Sequence, residues 1–442
     1  MWPRLVASKI LRKRLGSNNF VADFPSNPES FLETQSLDQE SICSKITFHH
    51  NEQTRNYKVF VSTWNVAGVT PTDDLNMEEL LLTCNTPCEI YVLGFQEVVP
   101  LRAANVLGSE NHRISMKWNS LIRQTLNKKT CSRDRNKEAT LKENQNNFFA
   151  EGGKSTDITP GFRCTISKQM VGILISVWVR NDLQCYIRNP SVSCVGCGIM
   201  GCLGNKGSVS VRFRLHETSF CFVCSHLASG GREGDERHRN SNFLEILDRT
   251  SFPRGPSLDL PRKILDHDRV ILLGDLNYRI SLPESDTRLL VYRREWNALL
   301  ENDQLRTELM EGQIFQGWHE GTINFAPTYK YYPDSDEYSS GIGGRKGEKK
   351  RAPAWIIWCG EGLKQHIYTR GESKLSDHRP VKAIFTAEVG ILRKGYKNFF
   401  LSERFDRIHI TNRLVMPSHD DFRGIAPSRF RLRDLFTPYE AC

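Results

Sequence analysis

A carboxylate, an amide and a guanidinium follow one another within the segment Arg269–Ile280, which reads RVILLGDLNYRI. Asp275, Asn277 and Arg279 come directly after the apolar run Val270–Leu273, whose β-branched members predict a buried strand. Because α/β proteins commonly place ligands at the ends of their strands, this set suits a ligand-binding site. Taken alone, Gly-Asp-x-Asn is also a common turn sequence. The interpretation therefore depends on whether other strands end in similar side chains.

Two other predicted strands end in side chains that are suited to bind a metal ion. The strand predicted at Tyr57–Trp64 is followed by Asn65, and the strand predicted at Glu89–Gln96 is followed by Glu97. Each of these residues, taken singly, is more often part of a cap or turn. Together they indicate a hard-cation site, because Mg2+ takes one or two protein carboxylates and keeps several of its waters.

Two histidines also stand beside predicted strands. His226 follows the strand predicted at Ser219–Ser225, and Asp377 and His378 precede the strand predicted at Val381–Phe385. A lone strand-end histidine is more often structural than catalytic. With the other strand-end groups, however, these residues supply what metal-assisted hydrolysis of a phosphate ester needs. A carboxylate holds Mg2+, an Asp/Asn pair places the water, and histidines meet the charge on the phosphate.

A glycine-rich loop, Gly201–Gly207, lies between two further predicted strands. Its backbone N–H groups and Lys206 are suited to meet a phosphate. The loop matches no Walker pattern, so glycines that only turn the chain are an alternative interpretation. Helices are predicted at Glu233–Leu247 and over the stretch Arg288–Glu311.

Charge is distributed unevenly along the 442 residues. The net charge of +9 arises from +5 in residues 1–20 and +4 in residues 391–442, which leaves the intervening body neutral. A neutral body argues against an extended nucleic-acid track, because such a track needs many phosphate-neutralising contacts. It is compatible with one small anion-binding pocket. A nuclease is therefore disfavoured.

The N-terminal region and one internal segment are predicted to lie outside the folded core. Met1–Gly16 alternates apolar and basic residues at a spacing that suits an amphipathic helix. A membrane-surface helix, a solvated leader, a helix docked on the body and a transit peptide all fit this pattern. Ser17–Arg55 is predicted to be a polar linker, and the charged segment Lys128–Asp157 a disordered surface insertion.

The apolar and cysteine content bears on where the protein works. No apolar run approaches the ~18 residues of a membrane span, and the N-terminus lacks the apolar core of a secretory signal. We therefore expect an intracellular protein, cytoplasmic or peripheral at a membrane surface, with the nucleus also open. The thirteen cysteines lack framework spacing, and Cys194 and Cys197 form only half of a zinc pattern. Reduced, mostly buried thiols are expected.

These motifs together resemble the inositol polyphosphate 5-phosphatase family, in its plant type I branch. The matching runs are spread in family order over the body of the chain: Trp64–Gly68, Gly94–Glu97, Gly204–Gly207, Ser225–Leu227, Gly274–Arg279, Pro327–Tyr331, Arg351–Trp355 and Ser376–Pro380. We therefore expect a catalytic domain at 55–390, a basic leader and polar linker at 1–54, and a basic tail of unassigned role at 391–442.

The resemblance implies a four-layer α/β sandwich with two central, mostly antiparallel mixed sheets, which is the DNase I-like fold. It also implies a Mg2+-dependent phosphoric monoester hydrolase that removes the 5-phosphate from inositol polyphosphates, or from phosphoinositides such as phosphatidylinositol 4,5-bisphosphate. The expected partners are inositol phosphates or phosphoinositide headgroups, with peripheral contact to anionic membrane and no nucleic acid.

The resemblance further implies a role for each matching polar residue. Glu97 is the implied principal Mg2+ ligand, with Asn65 beside it, and Asp275 aligns and deprotonates the attacking water. The other implied catalytic positions are Asn277, which orients the water and the phosphate, His226 and His378, which donate to phosphate oxygens, and Asp377, which supports the site. The implied contacts to the remaining phosphates of the substrate are Tyr329, Lys330 and Arg351 for the 4-phosphate, and Lys206, Arg239 and Asn240 for the others.

One departure from the family pattern follows Trp355. The family reads Arg-x-Pro-Ala-Trp-Cys-Asp-Arg-Ile, whereas here Trp355 runs directly into Ile356, so that Cys-Asp-Arg is missing. The missing Asp corresponds to the carboxylate that orients the catalytic histidine, so His378 is expected to lack the partner that fixes its tautomer. Removing three residues also exchanges the faces of a strand, unless a bulge absorbs the change. A catalytically impaired phosphoinositide-binding protein is therefore the alternative function.

Overall fold

The computed structural model describes residues 19–23, 52–82, 87–100, 112–140, 161–198, 205–254, 260–311, 314–339 and 355–392, with the backbone alone at 52, 129–140 and 392. Arg351, the leader Met1–Gly16 and the tail from 393 lie outside these residues. The division into 1–54, 55–390 and 391–442 stays a prediction. Among the described residues, no helix combines the length and apolar character that a membrane span requires.

Strands make up most of the described fold. In chain order they are β1 (Glu52–Asn65), β2 (Ile90–Gln96), β3 (Phe162–Met170), β4 (Ile173–Arg180), β5 (Ile187–Gly196), β6 (Gly207–Leu215), β7 (Thr218–His226), β8 (Arg269–Asp275), β9 (His319–Glu320), β10 (Trp355–Cys359), β11 (Leu363–Arg370) and β12 (Val381–Leu392). Most of the strands predicted from apolar runs and alternation fall within one residue of these elements or inside them. The strand predicted at Val171–Val179 begins two residues before β4, because Val171 and Gly172 form the turn between β3 and β4.

The strands form two six-stranded sheets, with the orders β11-β12-β1-β2-β4-β3 and β5-β6-β7-β8-β10-β9. β1 runs parallel to β2, and β7 runs parallel to β8, whereas the other paired strands are antiparallel. The predicted pair of mostly antiparallel mixed sheets is confirmed. Because parallel neighbours end at the same edge, the residues that follow β1 and β2 lie side by side, as do those that follow β7 and β8.

Helices cover the outer faces of the two sheets. Those in the described residues are α1 (Met77–Leu81), α2 (His112–Thr140), α3 (Asp235–Arg249), α4 (Glu284–Arg293), α5 (Trp296–Leu300) and α6 (Gln304–Glu311). One apolar core joins α1 and α2 to the first sheet, and another joins α3 and α6 to the second sheet. A third core lies between the sheets and includes Val61 of β1 and Leu273 of β8. The predicted four-layer sandwich is confirmed.

Burial on both faces explains the composition of the central strands. β4 reads ILISVWVR and β8 begins RVILL, and nearly every residue of both strands is buried. A strand that is covered on both faces has no need of polar alternation, so continuous apolar runs mark the middle of each sheet.

Two predicted segments differ from the sequence-based expectation. The stretch Arg288–Glu311 is divided into α4, α5 and α6, with a left-handed residue at Arg294 after α4. α2 continues to Thr140 and so enters the segment predicted as a disordered insertion from Lys128. The remainder of that segment, 141–157, lies outside the described residues.

Part of the predicted polar linker adds to the edge of the first sheet. Val21 forms an antiparallel bridge with Ser167 of β3, the edge strand. Asp23 accepts two hydrogen bonds from Arg123 of α2, both 2.7 Å long, and one from the Cys164 backbone N–H at 2.8 Å. This short segment therefore satisfies backbone groups that an open edge strand would leave unpaired.

The described cysteines agree with the expectation of reduced thiols. All of them are free, and Cys88, Cys164, Cys197, Cys221 and Cys224 are buried. The described residues also contain no group of three or more His, Cys, Asp or Glu side chains arranged to hold a metal.

One buried carboxyl predicts how stability depends on pH. Asp303 precedes α6, is 1% exposed, and accepts the Arg306 backbone N–H at Oδ1, whereas its Oδ2 has no hydrogen-bond partner. Burial raises the pKa of Asp303 to about 6. The unfolded chain has a pKa of about 4 at this position, so the folded protein holds the extra proton between these values and loses stability as pH rises through them.

We expect Asp303→Asn to keep the Oδ1 cap and to remove this pH dependence. The free energy of unfolding at pH 7 should rise by on the order of 2 kcal/mol, because no charge is then buried. Urea denaturation at several pH values between 4 and 7.5 measures the effect, with the exposed Asp286→Asn as the matched loss of one carboxylate. Equal slopes of stability against pH in the wild type and in Asp303→Asn would contradict the assignment.

Candidate active site

The polar residues at the ends of four strands meet between the two sheets. Asn65, His226 and Asp275 are the last residues of β1, β7 and β8, and Glu97 directly follows β2. The Asn65 Nδ2 group donates to Asp275 Oδ2 at 2.9 Å and to Glu97 Oε1 at 3.4 Å. His226 Nε2 lies 3.6 Å from Asp275 Oδ2 and 3.8 Å from Glu97 Oε1. Side chains that are far apart in sequence thus form one cluster.

Local backbone geometry allows this approach. The φ of Gly274 is +153°, and a Cβ atom at this position would lie 1.9 Å from the Ser225 carbonyl oxygen. Only glycine therefore permits β7 and β8 to pair in the register that sets His226 opposite Asp275. Glu97 also has a positive φ, of 54°, and its conformation turns the chain directly after β2.

The charges in the cluster act on one another because water is largely excluded. Burial raises the pKa of Asp275, but attraction to His226 and to nearby cationic groups outweighs this, so that its pKa lies well below the usual range. Burial raises the pKa of Glu97, and the charge of Lys206 only partly opposes this rise. Burial also lowers the pKa of His226, with help from Lys206. Near neutral pH, Asp275 is therefore ionised and His226 is neutral.

Lys206 lies at the beginning of β6 and reaches into the same cluster. Its Nζ atom contacts His226 Nε2 directly. The sequence predicted Lys206 as a contact for a phosphate, and the structure brings its ammonium group beside the site. The rest of the glycine-rich loop, 201–204, lies outside the described residues.

The segment that precedes β12 contributes His378, which is held mainly through its backbone. Ser376 Oγ donates to the Asn65 carbonyl oxygen at 2.7 Å and accepts the His378 backbone N–H at 3.0 Å. Trp64 Nε1 donates to the His378 carbonyl oxygen at 2.9 Å. Burial lowers the pKa of the His378 imidazole, although Asp275 raises it. The imidazole is therefore neutral near pH 7.

Tyr329 and Lys330 lie beside His378, as the resemblance predicted for the substrate-contacting loop. The Tyr329 ring stacks on the His378 imidazole, with ring centroids 4.1 Å apart. Lys330 Nζ forms an ion pair with Asp377 Oδ2 at 2.9 Å. The structure therefore groups Tyr329, Lys330, Asp377 and His378 at one side of the cluster. Arg351, the third predicted contact to the 4-phosphate, lies outside the described residues.

Two predicted substrate contacts have structural partners instead. Arg239 is fully buried, donates to the Gly230 carbonyl oxygen and to Gln304 Oε1, and lies over the Tyr278 ring. Asn240 accepts the Tyr278 hydroxyl proton at 2.5 Å and donates to Glu308 at 2.7 Å. These contacts hold α3 against α6, so the structure does not direct either side chain to a substrate.

Asn277 and Arg279 extend the site behind Asp275. The Asn277 backbone N–H donates to Asp275 Oδ1 at 3.2 Å, and its side chain donates to the Leu227 carbonyl oxygen at 3.1 Å. Arg279 donates to Asn277 Oδ1 at 2.6 Å and lies over the Tyr329 ring. Arg279 is a site residue that was not assigned a role from the sequence, although its place in the segment 269–280 was a signal for it.

The sequence gap after Trp355 falls in β10, which pairs with β8. Trp355 lies opposite Gly274, and the pairing continues without a shift to Cys359 opposite Val270. The strand reads WIIWC and carries no carboxylate. No bulge absorbs the three missing residues within β10, and the imidazole of His378 has no hydrogen bond to a carboxylate among the described residues. The lack of an orienting carboxylate for His378 stays a prediction.

The cluster fits a hard cation with few protein ligands. Glu97 and Asp275 direct two carboxylates toward each other, and the pKa of Glu97 is raised by burial and by the charge of Asp275. A divalent cation would relieve this repulsion, and Mg2+ needs only one or two protein carboxylates. Asn65 directs its Nδ2 group at both carboxylates, and its Oδ1 accepts the Ala67 backbone N–H at 3.0 Å. Glu97 is thus the better placed ligand, and Asn65 holds the carboxylates together.

Comparison with known proteins places this site in a family context. The profile described as "Endonuclease/Exonuclease/phosphatase family 2" matches residues 62–384. Among curated Arabidopsis thaliana proteins, "Type IV inositol polyphosphate 5-phosphatase 9" is 66% identical over 92% of this chain and 96% of its own length. "Type I inositol polyphosphate 5-phosphatase 8" is 45% identical over 88% of this chain and 86% of its own length. The more similar of the two is type IV, so the type I branch is unconfirmed.

Solved structures agree with the family profile and the curated relatives. The crystal structure of the inositol polyphosphate 5-phosphatase domain of SPsynaptojanin, in complex with inositol (1,4)-bisphosphate and calcium ion, is 30% identical with a TM-score of 0.63. The match covers 77% of this chain and 87% of that one. The predicted DNase I-like fold is therefore confirmed. A Cimex nitrophorin, 18% identical with a TM-score of 0.50, covers 76% of this chain and 99% of its own, and shares the fold alone.

Proposed function

Because this chain belongs to the inositol polyphosphate 5-phosphatase family, we propose that it is a Mg2+-dependent phosphoric monoester hydrolase. Its substrates in this proposal are inositol polyphosphates and phosphoinositides such as phosphatidylinositol 4,5-bisphosphate, from which it removes the 5-phosphate. The observation that carries the proposal is the convergence of Asp275, Glu97 and His226 from both sheets. A carboxylate oxygen of Asp275 and one of Glu97 each lie within 4 Å of His226 Nε2.

In this proposal Glu97 is the principal residue that holds Mg2+, and Asn65 keeps its carboxylate in place. Bound Mg2+ would supply charge stabilisation to the phosphate as negative charge builds on its oxygens. The low pKa of Asp275 keeps this carboxylate ionised, so that it can accept a hydrogen bond from the attacking water and align it. Asn277 holds Asp275 through its backbone N–H.

The two histidines and Lys206 act on the phosphate oxygens. His226 and His378 are neutral near pH 7, because burial lowers the pKa of both, and a neutral imidazole has one ring N–H. His226 donates from Nε2 only when Lys206, which contacts this nitrogen, turns to the phosphate. Lys206 adds a positive charge beside His226. Donors that are fixed before the reaction stabilise developing charge at little reorganisation cost. Asp377 keeps Lys330 in place.

Recognition of the rest of the substrate is proposed to involve Tyr329, Lys330 and Arg351, which would contact the 4-phosphate. Substrates of this kind are found both free and as lipid headgroups. We also propose that the basic segment Met1–Gly16, outside the described residues, adds contact with anionic bilayers, where each basic group near the surface contributes about 1 kcal/mol. Such a protein would work inside the cell, in the cytoplasm, at a membrane surface or in the nucleus.

Phosphate release tests the proposed function. We expect hydrolysis of inositol 1,4,5-trisphosphate, and of phosphatidylinositol 4,5-bisphosphate in vesicles, to depend on added Mg2+ and to stop in excess EDTA. The physical reason is that Glu97 and Asp275 repel an anionic phosphate unless a cation lies between them. Hydrolysis that persists in excess EDTA would contradict the proposal.

The second candidate function is a phosphoinositide-binding protein with impaired catalysis. It is favoured by the absence of a carboxylate from β10, and by the lack of a hydrogen bond between a carboxylate and the His378 imidazole among the described residues. The same assay separates the two functions when binding of inositol 1,4-bisphosphate is measured by calorimetry on the same preparation. Binding without phosphate release in the presence of Mg2+ would favour the second function over the first.

A further inference from the structure

Among the described residues, the imidazole of His378 has no carboxylate within hydrogen-bonding distance that could fix its orientation. Asp377 Oδ1 lies 3.8 Å from His378 Nε2, which is too long for a hydrogen bond. The other oxygen of Asp377 is engaged with Lys330 at 2.9 Å. Within the described residues, no side chain hydrogen-bonds to either ring nitrogen of His378. In this part of the chain, the ring is therefore oriented by contacts other than a hydrogen bond.

The Tyr329 ring is the group that lies against this imidazole. The two ring centroids are 4.1 Å apart and the ring planes differ by 25°, which is a stacked arrangement. Tyr329 is 7% exposed, so its ring has little room to move away. The stack covers one face of the imidazole and restricts rotation about its side-chain bonds.

Backbone pairing fixes the stack from both sides. Tyr329 and His378 form an isolated antiparallel bridge. The Arg379 N–H donates to the Thr328 carbonyl oxygen at 2.8 Å, and the Tyr331 N–H donates to the Asp377 carbonyl oxygen at 2.9 Å. The residues on each side of the stacked pair are thus tied to each other, which brings the two side chains together on one face of the bridge.

A cation also holds the tyrosine ring. The Arg279 guanidinium carbon lies 5.5 Å from the centre of the Tyr329 ring, and Arg279 is itself anchored to Asn277 at 2.6 Å. Asn277 in turn contacts Asp275. Tyr329 is therefore connected through Arg279 to the residues around Asp275, and this connection links the position of the His378 ring to the rest of the site.

We propose that Tyr329 is a positioning residue for His378, and that its ring face takes over part of the orienting function of the missing carboxylate. The proposal rests on the proposed phosphatase function and goes beyond it, because the resemblance implies only a contact between Tyr329 and the 4-phosphate. That contact requires the phenol oxygen, whereas positioning requires the aromatic ring. The two roles are therefore separable by substitution.

The kinetic test compares Tyr329→Phe, which keeps the ring, with Tyr329→Leu, which removes it. On inositol 1,4,5-trisphosphate with Mg2+, Tyr329→Phe should keep kcat within about twofold of the wild type, and any loss of the phenol contact should appear in KM. Tyr329→Leu should have the same KM as Tyr329→Phe, because both variants lack the phenol oxygen. The kcat of Tyr329→Leu should be about tenfold lower than that of Tyr329→Phe, because the imidazole is less often in the productive orientation. Equal kcat values for Phe and Leu would overturn the proposal.

A spectroscopic readout does not depend on activity. In NMR spectra of histidine-labelled full-length protein without metal, the carbon-bound ring protons of His378 should be shifted by the ring current of Tyr329. The shift should remain in Tyr329→Phe and disappear in Tyr329→Leu, while the His226 signals stay in place. If the His378 shift is the same in all three proteins, the proposal is wrong. The chemical shifts report the stacking even if none of the proteins hydrolyses the phosphate ester. Failure of the proposed phosphatase function can therefore be distinguished from failure of the positioning proposal.

Two further measurements complete the test. If Tyr329→Leu does not fold, Tyr329→Met is the replacement, because it also removes the ring and has a volume similar to that of leucine. The results expected for Tyr329→Leu are then expected for Tyr329→Met. In a version with Cys-Asp-Arg inserted between Trp355 and Ile356, a carboxylate is restored and the ratio of kcat between Tyr329→Phe and Tyr329→Leu should fall toward one. An unchanged ratio would show that the ring does not substitute for the carboxylate.

Discussion

Asp275→Asn is expected to lower kcat by about 10^3-fold, while the protein still folds and binds inositol 1,4-bisphosphate. The asparagine side chain keeps the size of Asp275 and one acceptor oxygen, but it cannot accept a proton from water near neutral pH. The low pKa of Asp275 shows that the surroundings favour a negative charge at this position. Initial rates of phosphate release and calorimetric binding of the product measure the two effects separately.

The matched control for this substitution is Asp74→Asn, which removes one exposed carboxylate on the loop before α1. It should leave kcat unchanged within about twofold, because the charge is screened by solvent. If Asp275→Asn retained more than a tenth of the wild-type kcat, another group would have to accept the proton, and the role assigned to Asp275 would be wrong.

Insertion of Cys-Asp-Arg between Trp355 and Ile356 is expected to raise kcat by about 10^2-fold or more, with little change in product affinity. In an enzyme where a carboxylate orients a histidine, loss of that carboxylate reduces kcat by up to ~10^4-fold. Here Tyr329 already provides part of the orientation, so the gain should be smaller than this limit. The residues expected to bind the substrate, Lys330 and Arg351, lie outside the gap.

The pairing of β10 shows where the inserted carboxylate would lie. Ile356 is opposite Leu273, and each step toward the N-terminus moves one residue along β8. If Ile356 keeps this partner, the inserted Arg comes opposite Gly274 and the inserted Asp opposite Asp275. The Asp then shares the strand face of Ile356, which faces the core between the sheets. His378 approaches the cluster from the other sheet, so this position is the right one for contact.

Insertion of Cys-Asn-Arg is the control, because it has the same length and register without a carboxylate. Insertion displaces Trp355, which is fully buried and contacts the Tyr278 ring edge-on, so the free energy of unfolding is measured in parallel. A rise in kcat for Cys-Asp-Arg but not for Cys-Asn-Arg would support the orienting role. Equal rises for both would assign the effect to strand register, and no rise in a folded protein would mean that this form needs no further carboxylate.

The features that could be predicted from the amino-acid sequence are those with a signal in a short run of residues. Continuous apolar runs such as Val270–Leu273 identified central strands, because a strand covered on both faces needs no polar alternation. Polar residues directly after those runs identified Asn65, Glu97, His226 and Asp275, because a side chain at a strand end is placed by its own strand. The absence of Cys-Asp-Arg after Trp355 was likewise visible in the order of residues alone.

Side-chain contacts between distant segments could be identified only from the tertiary structure. Arg239 and Asn240 stand near the start of a helix in sequence, but the packing of α3 against α6 pairs their side chains with Gln304 and Glu308. The stack of Tyr329 on His378 arises from a bridge between two loops, which no local pattern encodes. Local sequence sets strand and helix preferences over a few residues, whereas the partners of a side chain depend on register and layer packing across the whole chain.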